Sequence, residues 1–433
     1  MIVYWWLCYH AISAEQIHEN LQGPSTLRDS PICHNEERDH FDGGVFPRDF
    51  IWAVATASHQ IEGGWRADGK GNNIWDEFTH YWGVDNNNEF NGRSNKGRCN
   101  IDGCETADVA CNSYIQWERD LDLIKDMGLQ SYRFSLSWAR LLPTGSVADG
   151  FNQAGVDYYN KLIDGALDRG ILPFVTLYHW DLPADLQSSF GGWTSRKIID
   201  AFAEYADFCF DHFGDRVVNW ITLNEPNVFV DQGYELGVMA PGVKGQKWLA
   251  RHHTILAHAA AYRVYNSKYR ARQNGQIGIT LNTDWSEPET EADRDAADMF
   301  MDMELGFWAK PIFVDGQYPE HVVDVIKRAG DTHAEVLSFS QDESSQILHS
   351  SDFFGLNHYY SIITNKCEFS DTCRYGHSSF SCPNWPQAGP YWLKSVPWGL
   401  RHLLNHIHEK YNSEKVNSDG SVSAGSSEIY PPN

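Results

Sequence analysis

The sequence predicts a parallel α/β fold in which buried strands alternate with helices. Short runs rich in β-branched and aromatic residues alternate with longer helical patterns between residues 50 and 359. Alternation of this kind over several hundred residues is typical of a parallel sheet. Polar residues also follow the ends of these runs, which is where the active site of a barrel or of a doubly wound sheet forms.

Six apolar runs predict the strands in chain order. They are Phe50–Ala57, Ser131–Ser137, Pro173–His179, Trp220–Asn224, Gln276–Asn282 and Phe353–Tyr359. The segments between them predict helices because their apolar residues recur at helical spacing, as in Trp117–Met127, Val156–Leu167 and Ile198–Phe213. No Gly-x-Gly-x-x-Gly motif follows the first run, which argues against a dinucleotide-binding domain.

Composition narrows the class of partner. The chain has 433 residues, of which 42% are hydrophobic and 21% charged, as in an ordinary soluble protein. It carries 34 Lys and Arg against 58 Asp and Glu, a net charge of −24. A nucleic-acid-binding protein would show a basic face, so we predict no nucleic-acid partner. No apolar run approaches the roughly 18 residues of a membrane-spanning helix, so no membrane span is predicted.

Residues 1–45 are predicted to be an irregular leader or linker. Met1–Tyr9 is apolar and is followed by small residues at Ala11–Ala14, which resembles a secretory signal but lacks a basic start. No Asn-x-Ser/Thr sequence occurs. A secreted and a cytoplasmic location therefore both stay open. The nine cysteines are an odd number and cannot all pair. Two clusters, Cys99, Cys104 and Cys111 and then Cys367, Cys373 and Cys382, lie in polar loops with spacings that match no common zinc pattern. Loop disulfides are possible if the chain is secreted, and free thiols are expected otherwise.

The most informative segment is Trp220–Pro226, where a strand ends on Asn224 and Glu225. A glutamate at a strand end that faces a cleft suits general acid/base catalysis if a second carboxylate raises its pKa. The proline after it stops strand pairing and helps to fix the turn. The alternative is a glutamate that caps a loop or a helix, and the segment alone does not decide between the two.

Six collinear segments extend this pattern over the chain from residue 46 to residue 411. They are Phe50–Gly63, Ala67–Gly71, Tyr132–Trp138, Thr176–Pro183, Thr222–Asn227 and Asp352–Tyr359. Together they resemble glycoside hydrolase family 1, the β-glucosidase family, and are similar to the animal cytosolic β-glucosidases and to the repeats of lactase–phlorizin hydrolase. The number and order of the motifs make the resemblance specific.

The resemblance implies a (β/α)8 TIM barrel that hydrolyses β-D-glucosides or β-D-galactosides with retention of configuration and uses no cofactor or metal. Glu225 would be the general acid/base, and Asn224 would bind the sugar 2-hydroxyl. The other implied site residues are Gln60 and His179 on hydroxyls at the far side of the glycone, Trp180 beside them, Arg133 and Tyr359 around the nucleophilic carboxylate, and Asn357 close by.

Several of these residues also have a purely structural alternative. His179 could be a buried core histidine, Arg133 a buried ion pair, Tyr359 barrel packing and Gln60 a turn amide. The other histidines, such as the pair at positions 252 and 253, are predicted to be surface or packing residues rather than metal ligands.

The motif of the nucleophile is the part of the family pattern that the sequence does not show. A retaining glycosidase needs two carboxylates about 5–5.5 Å apart, and the family places the second in an Ile/Val-Thr-Glu-Asn-Gly motif at the end of strand 7. No such motif occurs. We therefore expect an incomplete barrel, with strands 1–6 recognisable and strands 7 and 8 missing. We also expect Glu225 to be largely ionised at neutral pH, because no second carboxylate would face it.

The predicted organisation is an irregular segment over 1–45, a partial catalytic domain over 46–411 and a disordered polar tail over 412–433. Three functions stay open. They are a β-glycosidase that forms part of a longer product, a non-catalytic klotho-like relative that binds a sugar or a partner, and an inactive truncated isoform. The expected partner is a small-molecule β-glycoside, and the sequence predicts no oligomeric state.

Overall fold

The computed structural model describes residues 26–34, 45–80, 100–370, 372–390, 392–411, 415–416 and 422–423. Its strands are β1 (Thr26–Leu27), β2 (Ala53–Ala55), β3 (Ser131–Ser135), β4 (Leu172–Tyr178), β5 (Asn219–Asn224), β6 (Gln276–Asn282), β7 (Trp285–Pro288), β8 (Phe354–Asn357), β9 (Ser361–Lys366), β10 (His377–Ser381), β11 (Lys415–Val416) and β12 (Val422–Ser423). Its α-helices are α1 (Ser58–Ile61), α2 (Ile74–His80), α3 (Ser113–Asp126), α4 (Trp138–Leu141), α5 (Gln153–Asp168), α6 (Ala184–Phe190), α7 (Lys197–Phe213), α8 (Pro226–Val230), α9 (Lys247–Val264), α10 (Arg270–Gln273), α11 (Arg294–Met301), α12 (Phe307–Lys310), α13 (Glu320–Arg328), α14 (Gln341–Ile347) and α15 (Pro397–Tyr411).

The chain divides into two compact units. The described part of the first unit comprises residues 49–80, 100–280 and 351–353. The second unit holds the remaining described residues, including 26–34, 281–350 and most of 354–411. Within the described ranges, no helix is both long enough and apolar enough to cross a membrane.

The first unit is built on the parallel strands β2 to β6, which pair in chain order. Helices α3, α5, α7 and α9 lie between consecutive strands along the chain. β3 and β5 are buried at every position, as expected for parallel strands with both faces covered. This arrangement confirms the predicted parallel α/β architecture.

The helices form where the sequence has an apolar stripe. In α7, Ile198, Phe202 and Tyr205 are buried and recur at four- and three-residue spacing. Helix α5 packs closely on α3 at Gly165, where an added Cβ would lie 2.6 Å from the ring of Trp117. The three predicted helical segments overlap α3, α5 and α7.

The second unit contains a four-stranded sheet in the order β1-β10-β9-β7. A disulfide, Cys33–Cys382, joins the segment after β1 to the end of β10. Trp385 and Trp398 belong to the same buried apolar cluster as this disulfide. A second disulfide, Cys367–Cys373, closes the loop between β9 and β10. In the second of the two loop clusters, Cys367, Cys373 and Cys382 therefore all form disulfides.

Two segments differ from the sequence prediction. Thr26–Leu27 lies in the predicted irregular leader, yet it pairs in parallel with Phe380–Ser381, next to the Cys33–Cys382 disulfide that links these two segments. Lys415–Val416 and Val422–Ser423 lie in the predicted disordered tail, yet they pair as antiparallel strands. Strands of two residues are too short to show a periodic pattern. The boundaries 1–45, 46–411 and 412–433 stay predictions.

Candidate active site

Polar side chains of β3, β4 and β5 meet inside the first unit. Arg133 of β3 is 1% exposed. Its Nε donates a hydrogen bond to Thr176 Oγ1 of β4 at 3.0 Å, and its Nη2 donates to Asn224 Oδ1 of β5 at 2.5 Å. A guanidinium group only donates hydrogen bonds, so Arg133 determines which end of the Asn224 amide faces it.

The Asn224 amide therefore turns its Nδ2 toward two other side chains. Nδ2 lies 3.2 Å from His179 Nε2 and donates to Glu225 Oε2 at 3.1 Å. A donor that faces Nε2 makes this nitrogen an acceptor, which places the imidazole proton on Nδ1. Within the described part of the chain, Nδ1 of His179 has no hydrogen-bond partner. Its proton is thus available to a ligand.

His179 is a neutral imidazole at neutral pH. Its side chain is buried, and this burial together with the Arg133 guanidinium holds the pKa of His179 well below its usual value. The ring lies beside Trp180, with ring centroids 5.4 Å apart. A neutral donor next to an aromatic face suits the binding of a hydroxylated, uncharged ligand.

Glu225 follows β5 in a backbone conformation that residues other than glycine seldom adopt. Its φ is 47°, and Pro226 begins α8 directly after it. The Glu225 N–H donates to the Thr280 carbonyl at 2.8 Å, and its side chain is 4% exposed. Trp180 has a φ of 79° and donates its Nε1 to the Asn224 carbonyl at 2.8 Å. Two such conformations at neighbouring strand ends are typical of a functional site.

Gln60 lies on α1, the short helix that follows β2. Ser58, the first residue of α1, donates its hydroxyl to Asp181 Oδ2 at 2.8 Å and accepts a hydrogen bond from Ser135 Oγ at 3.2 Å. Asp181 lies two residues after His179 in the chain. The helix that carries Gln60 is therefore tied to the strand end that carries His179.

Known proteins are similar to this chain in sequence and in fold. The profile of Glycosyl hydrolase family 1 matches residues 43–420. The chain belongs to this family. Cytosolic beta-glucosidase of Cavia porcellus is 42% identical over 388 residues, which cover 86% of this chain and 78% of that protein. The crystal structure of rice Os3BGlu6 beta-glucosidase has a TM-score of 0.76 and 40% identity, covering 85% of this chain and 78% of that one. A beta-glucosidase from Thermotoga maritima in complex with castanospermine has a TM-score of 0.73 and 37% identity, covering 87% of this chain and 81% of that one.

Family 1 membership makes the chain a retaining glycoside hydrolase of the β-glucosidase type, as the sequence motifs predict. The parallel α/β arrangement is consistent with the TIM barrel that the resemblance implies. The predicted loss of strands 7 and 8 stays a prediction.

The second unit of this family 1 chain holds the other two predicted site residues. Asn357 is the last residue of β8, is 5% exposed and accepts a backbone hydrogen bond from Thr283 at 3.3 Å. Tyr359 is half-buried and packs edge-on against Trp392, with ring centroids 6.1 Å apart. Burial lowers the pKa of His358, which lies between them in the chain. The roles of Asn357 and Tyr359 stay predictions.

Two further residues of this site, Thr176 and Asp181, were not predicted as site residues from the sequence. Thr176 accepts a hydrogen bond from Arg133, and Asp181 accepts one from Ser58, the first residue of the helix that carries Gln60. Asp181 was detectable as a charged residue inside the apolar sequence that follows β4, because a buried carboxylate requires hydrogen-bond partners. Among the residues that the structure describes, no three or more His, Cys, Asp or Glu side chains are grouped to hold a metal ion.

Proposed function

We propose that the chain is a retaining β-glycosidase that acts on β-D-glucosides or β-D-galactosides. The observation that carries the proposal is the hydrogen-bonded series Arg133–Asn224–Glu225, which presents a buried carboxyl group beside an amide of fixed orientation. The relatives named above are β-glucosidases, which supports the same substrate class.

In this proposal Glu225 is the general acid/base. It first donates its proton to the glycosidic oxygen while a second carboxylate attacks the anomeric carbon. The bond to the aglycone then breaks as a glycosyl–carboxylate bond forms. Glu225 next takes a proton from a water molecule, whose oxygen attacks the anomeric carbon and releases the carboxylate. Two inversions at the anomeric carbon restore the β configuration.

The neighbouring polar groups orient the sugar and the nucleophile. Asn224 binds the 2-hydroxyl, and the protonated Nδ1 of His179 donates to a hydroxyl at the far side of the glycone. The remaining proposed roles are a second hydroxyl contact from Gln60, the ring face of Trp180 beside the glycone, and the orientation of the nucleophilic carboxylate by Arg133 and Tyr359, with Asn357 close by.

A second function, sugar binding without hydrolysis, is favoured by one observation. The sequence contains no Ile/Val-Thr-Glu-Asn-Gly segment, in which the resemblance expects the nucleophile. On this alternative the barrel has six strands, and Gln60, His179 and Asn224 bind a glycone weakly, as in a klotho-like relative or an inactive isoform. Glu225 then has no second carboxylate to act with.

Hydrolysis of 4-nitrophenyl β-D-glucopyranoside by the 433-residue chain tests the first function. A retaining enzyme releases 4-nitrophenol and forms β-glucose as the first sugar product, which proton NMR detects. Glu225→Gln removes the proton donor, so we expect kcat/KM to fall at least roughly 100-fold. Glu343→Gln, which changes a carboxylate that caps α14 in the second unit, is the matched control and leaves kcat/KM unchanged.

Azide separates the two functions in the Glu225→Gln variant. If the chain holds a nucleophile, azide attacks the glycosyl intermediate formed from an activated dinitrophenyl glucoside, and the product is the β-glucosyl azide. If it holds none, azide attacks the substrate directly and gives the α-glucosyl azide. Binding of castanospermine without either product supports the sugar-binding function. If no product forms and castanospermine does not bind, both functions are contradicted.

A further inference from the structure

A buried carboxylate connects the two elements that carry the proposed glycone-binding residues. Asp181 is fully buried and lies two residues after His179. Its Oδ2 accepts a hydrogen bond from Ser58 Oγ at 2.8 Å. Ser58 is the first residue of α1, and Gln60 lies two residues further along this helix.

Ser58 is also held by β3. Its N–H donates to Ser135 Oγ at 2.8 Å, and the Ser135 hydroxyl donates to Ser58 Oγ at 3.2 Å. A hydroxyl has one proton, so the Ser58 proton that goes to Asp181 leaves Oγ as the acceptor from Ser135. The directions of the hydrogen bonds from Ser135 through Ser58 to Asp181 are therefore fixed.

The other end of α1 is held independently. The carboxylate of Glu62, directly after α1, accepts hydrogen bonds from Arg140 Nε at 2.9 Å and from the Tyr159 hydroxyl at 2.6 Å. The helix therefore stays attached to the fold when the contact between Ser58 and Asp181 is removed. What that contact adds is a direct connection between the Gln60 helix and the strand end of His179.

Stability alone does not account for a carboxylate at this position. Oδ1 of Asp181 has no hydrogen-bond partner among the described residues. Burying a carboxyl group with one unsatisfied oxygen is unfavourable. Such an arrangement is typical of residues that are retained for the geometry of a site.

We propose that Asp181 is a positioning residue for the glycone site: through Ser58, it sets the separation of the Gln60 amide and the His179 imidazole, and thereby the affinity for the sugar ring. This inference rests on the proposed role of those two residues in glycone binding. Asp181 acts by holding Gln60 and His179 in place. Side chains that are already held in place lose less conformational freedom when a ligand binds, so the affinity for the sugar is higher.

Calorimetric titration of the 433-residue chain with castanospermine tests the inference. We expect Asp181→Ala and Ser58→Ala each to raise the Kd roughly threefold to tenfold, the range that the loss of one hydrogen bond gives. Asp181→Asn restores binding, because its amide oxygen still accepts the Ser58 hydroxyl. The matched control is Asp352→Ala, which removes a carboxylate bonded to the Ile277 N–H at the start of β6 and leaves the Kd unchanged.

A double-mutant cycle with Gln60→Ala distinguishes positioning from a general effect on the fold. If Asp181 acts through Gln60, Asp181→Ala has little further effect on the Kd in the Gln60→Ala background. The inference is overturned if Asp181→Ala has an equal effect in both backgrounds or leaves the Kd unchanged. It is also overturned if Asp181→Asn fails to restore binding. Absence of binding by the unsubstituted chain overturns the proposed function, and this inference with it.

Discussion

At the scale of single residues, hydrogen-bond direction controls the chemistry of the site. Arg133 donates to the oxygen of the Asn224 amide, so the amide nitrogen faces both His179 and Glu225. The amide supplies hydrogens to two groups without adding a charge beside them. The same amide nitrogen therefore faces a neutral imidazole and the Glu225 carboxyl group.

Replacing this amide by a carboxylate tests the arrangement. In Asn224→Asp a negative charge faces His179 Nε2, and we expect the pKa of His179 to rise by at least about one unit, because a nearby anion favours the imidazolium. NMR titration of histidine labelled with nitrogen-15 measures this change. Asn219→Asp, at the opposite end of β5, is the control and leaves the His179 resonance unchanged. An unaltered His179 pKa in Asn224→Asp contradicts the assigned amide orientation.

At the scale of elements, the sequence predicts the parallel strands better than the second sheet. The four runs that became β3 to β6 agree with the structure within two residues at each end, because fully buried strands are continuous apolar runs. Of the first predicted run, Phe50–Ala57, only Ala53–Ala55 forms a strand in the structure. In the second sheet, β7 pairs with β9 and β1 pairs with β10 although these strands are far apart in the chain, and no local pattern predicts such pairings. Asp181 stands out locally as a charged residue in an apolar sequence, but its partner Ser58 lies 123 residues earlier and could not be identified from the sequence.

The packing of α5 on α3 gives a prediction about the two helices. Gly165→Ala improves helix propensity by about 1 kcal/mol, but the new Cβ would lie 2.6 Å from the Trp117 ring. Overpacking of this kind costs about 1–3 kcal/mol, so we expect a net loss in the free energy of unfolding. In a Trp117→Leu background the 2.6 Å contact is removed and only Leu121 Cδ1, 3.1 Å from the new Cβ, stays close, so we expect a smaller loss. Urea unfolding measures both, and a loss of the same size in both backgrounds would disprove the contact.

At the scale of the whole molecule, the disulfides Cys33–Cys382 and Cys367–Cys373 close loops of very different length. Cys33 and Cys382 are 349 residues apart, whereas Cys367 and Cys373 are six apart. A longer loop restricts the unfolded chain more. The loop-length relation predicts that replacement of the first pair by serine lowers the free energy of unfolding by about 6 kcal/mol, against about 2 kcal/mol for the second pair. Equal losses in urea unfolding would show that native contacts outweigh chain entropy.

The pH dependence of stability provides a test of the buried Asp181. Burial raises the pKa of Asp181 to about 7, and the Glu62 carboxylate adds to the rise. In the unfolded chain an aspartate titrates near pH 3.9. Between these values the folded state holds a proton that the unfolded state has lost. The stability that Asp181 contributes is therefore complete below about pH 4 and is lost as the pH rises through about 7.

The difference in unfolding free energy between the unsubstituted chain and Asp181→Asn isolates this group, because the effects of the other titrating residues cancel. Between pH 4 and pH 8, we expect the unfolding free energy of the unsubstituted chain to fall relative to that of Asp181→Asn by on the order of 3 kcal/mol. The Ser58 hydroxyl lowers the pKa of Asp181, so Ser58→Ala extends the loss to higher pH. Urea unfolding at one-unit steps measures these curves. Parallel curves for the unsubstituted chain and Asp181→Asn would place this carboxyl group in contact with water and remove the physical basis for its role in holding the Gln60 helix.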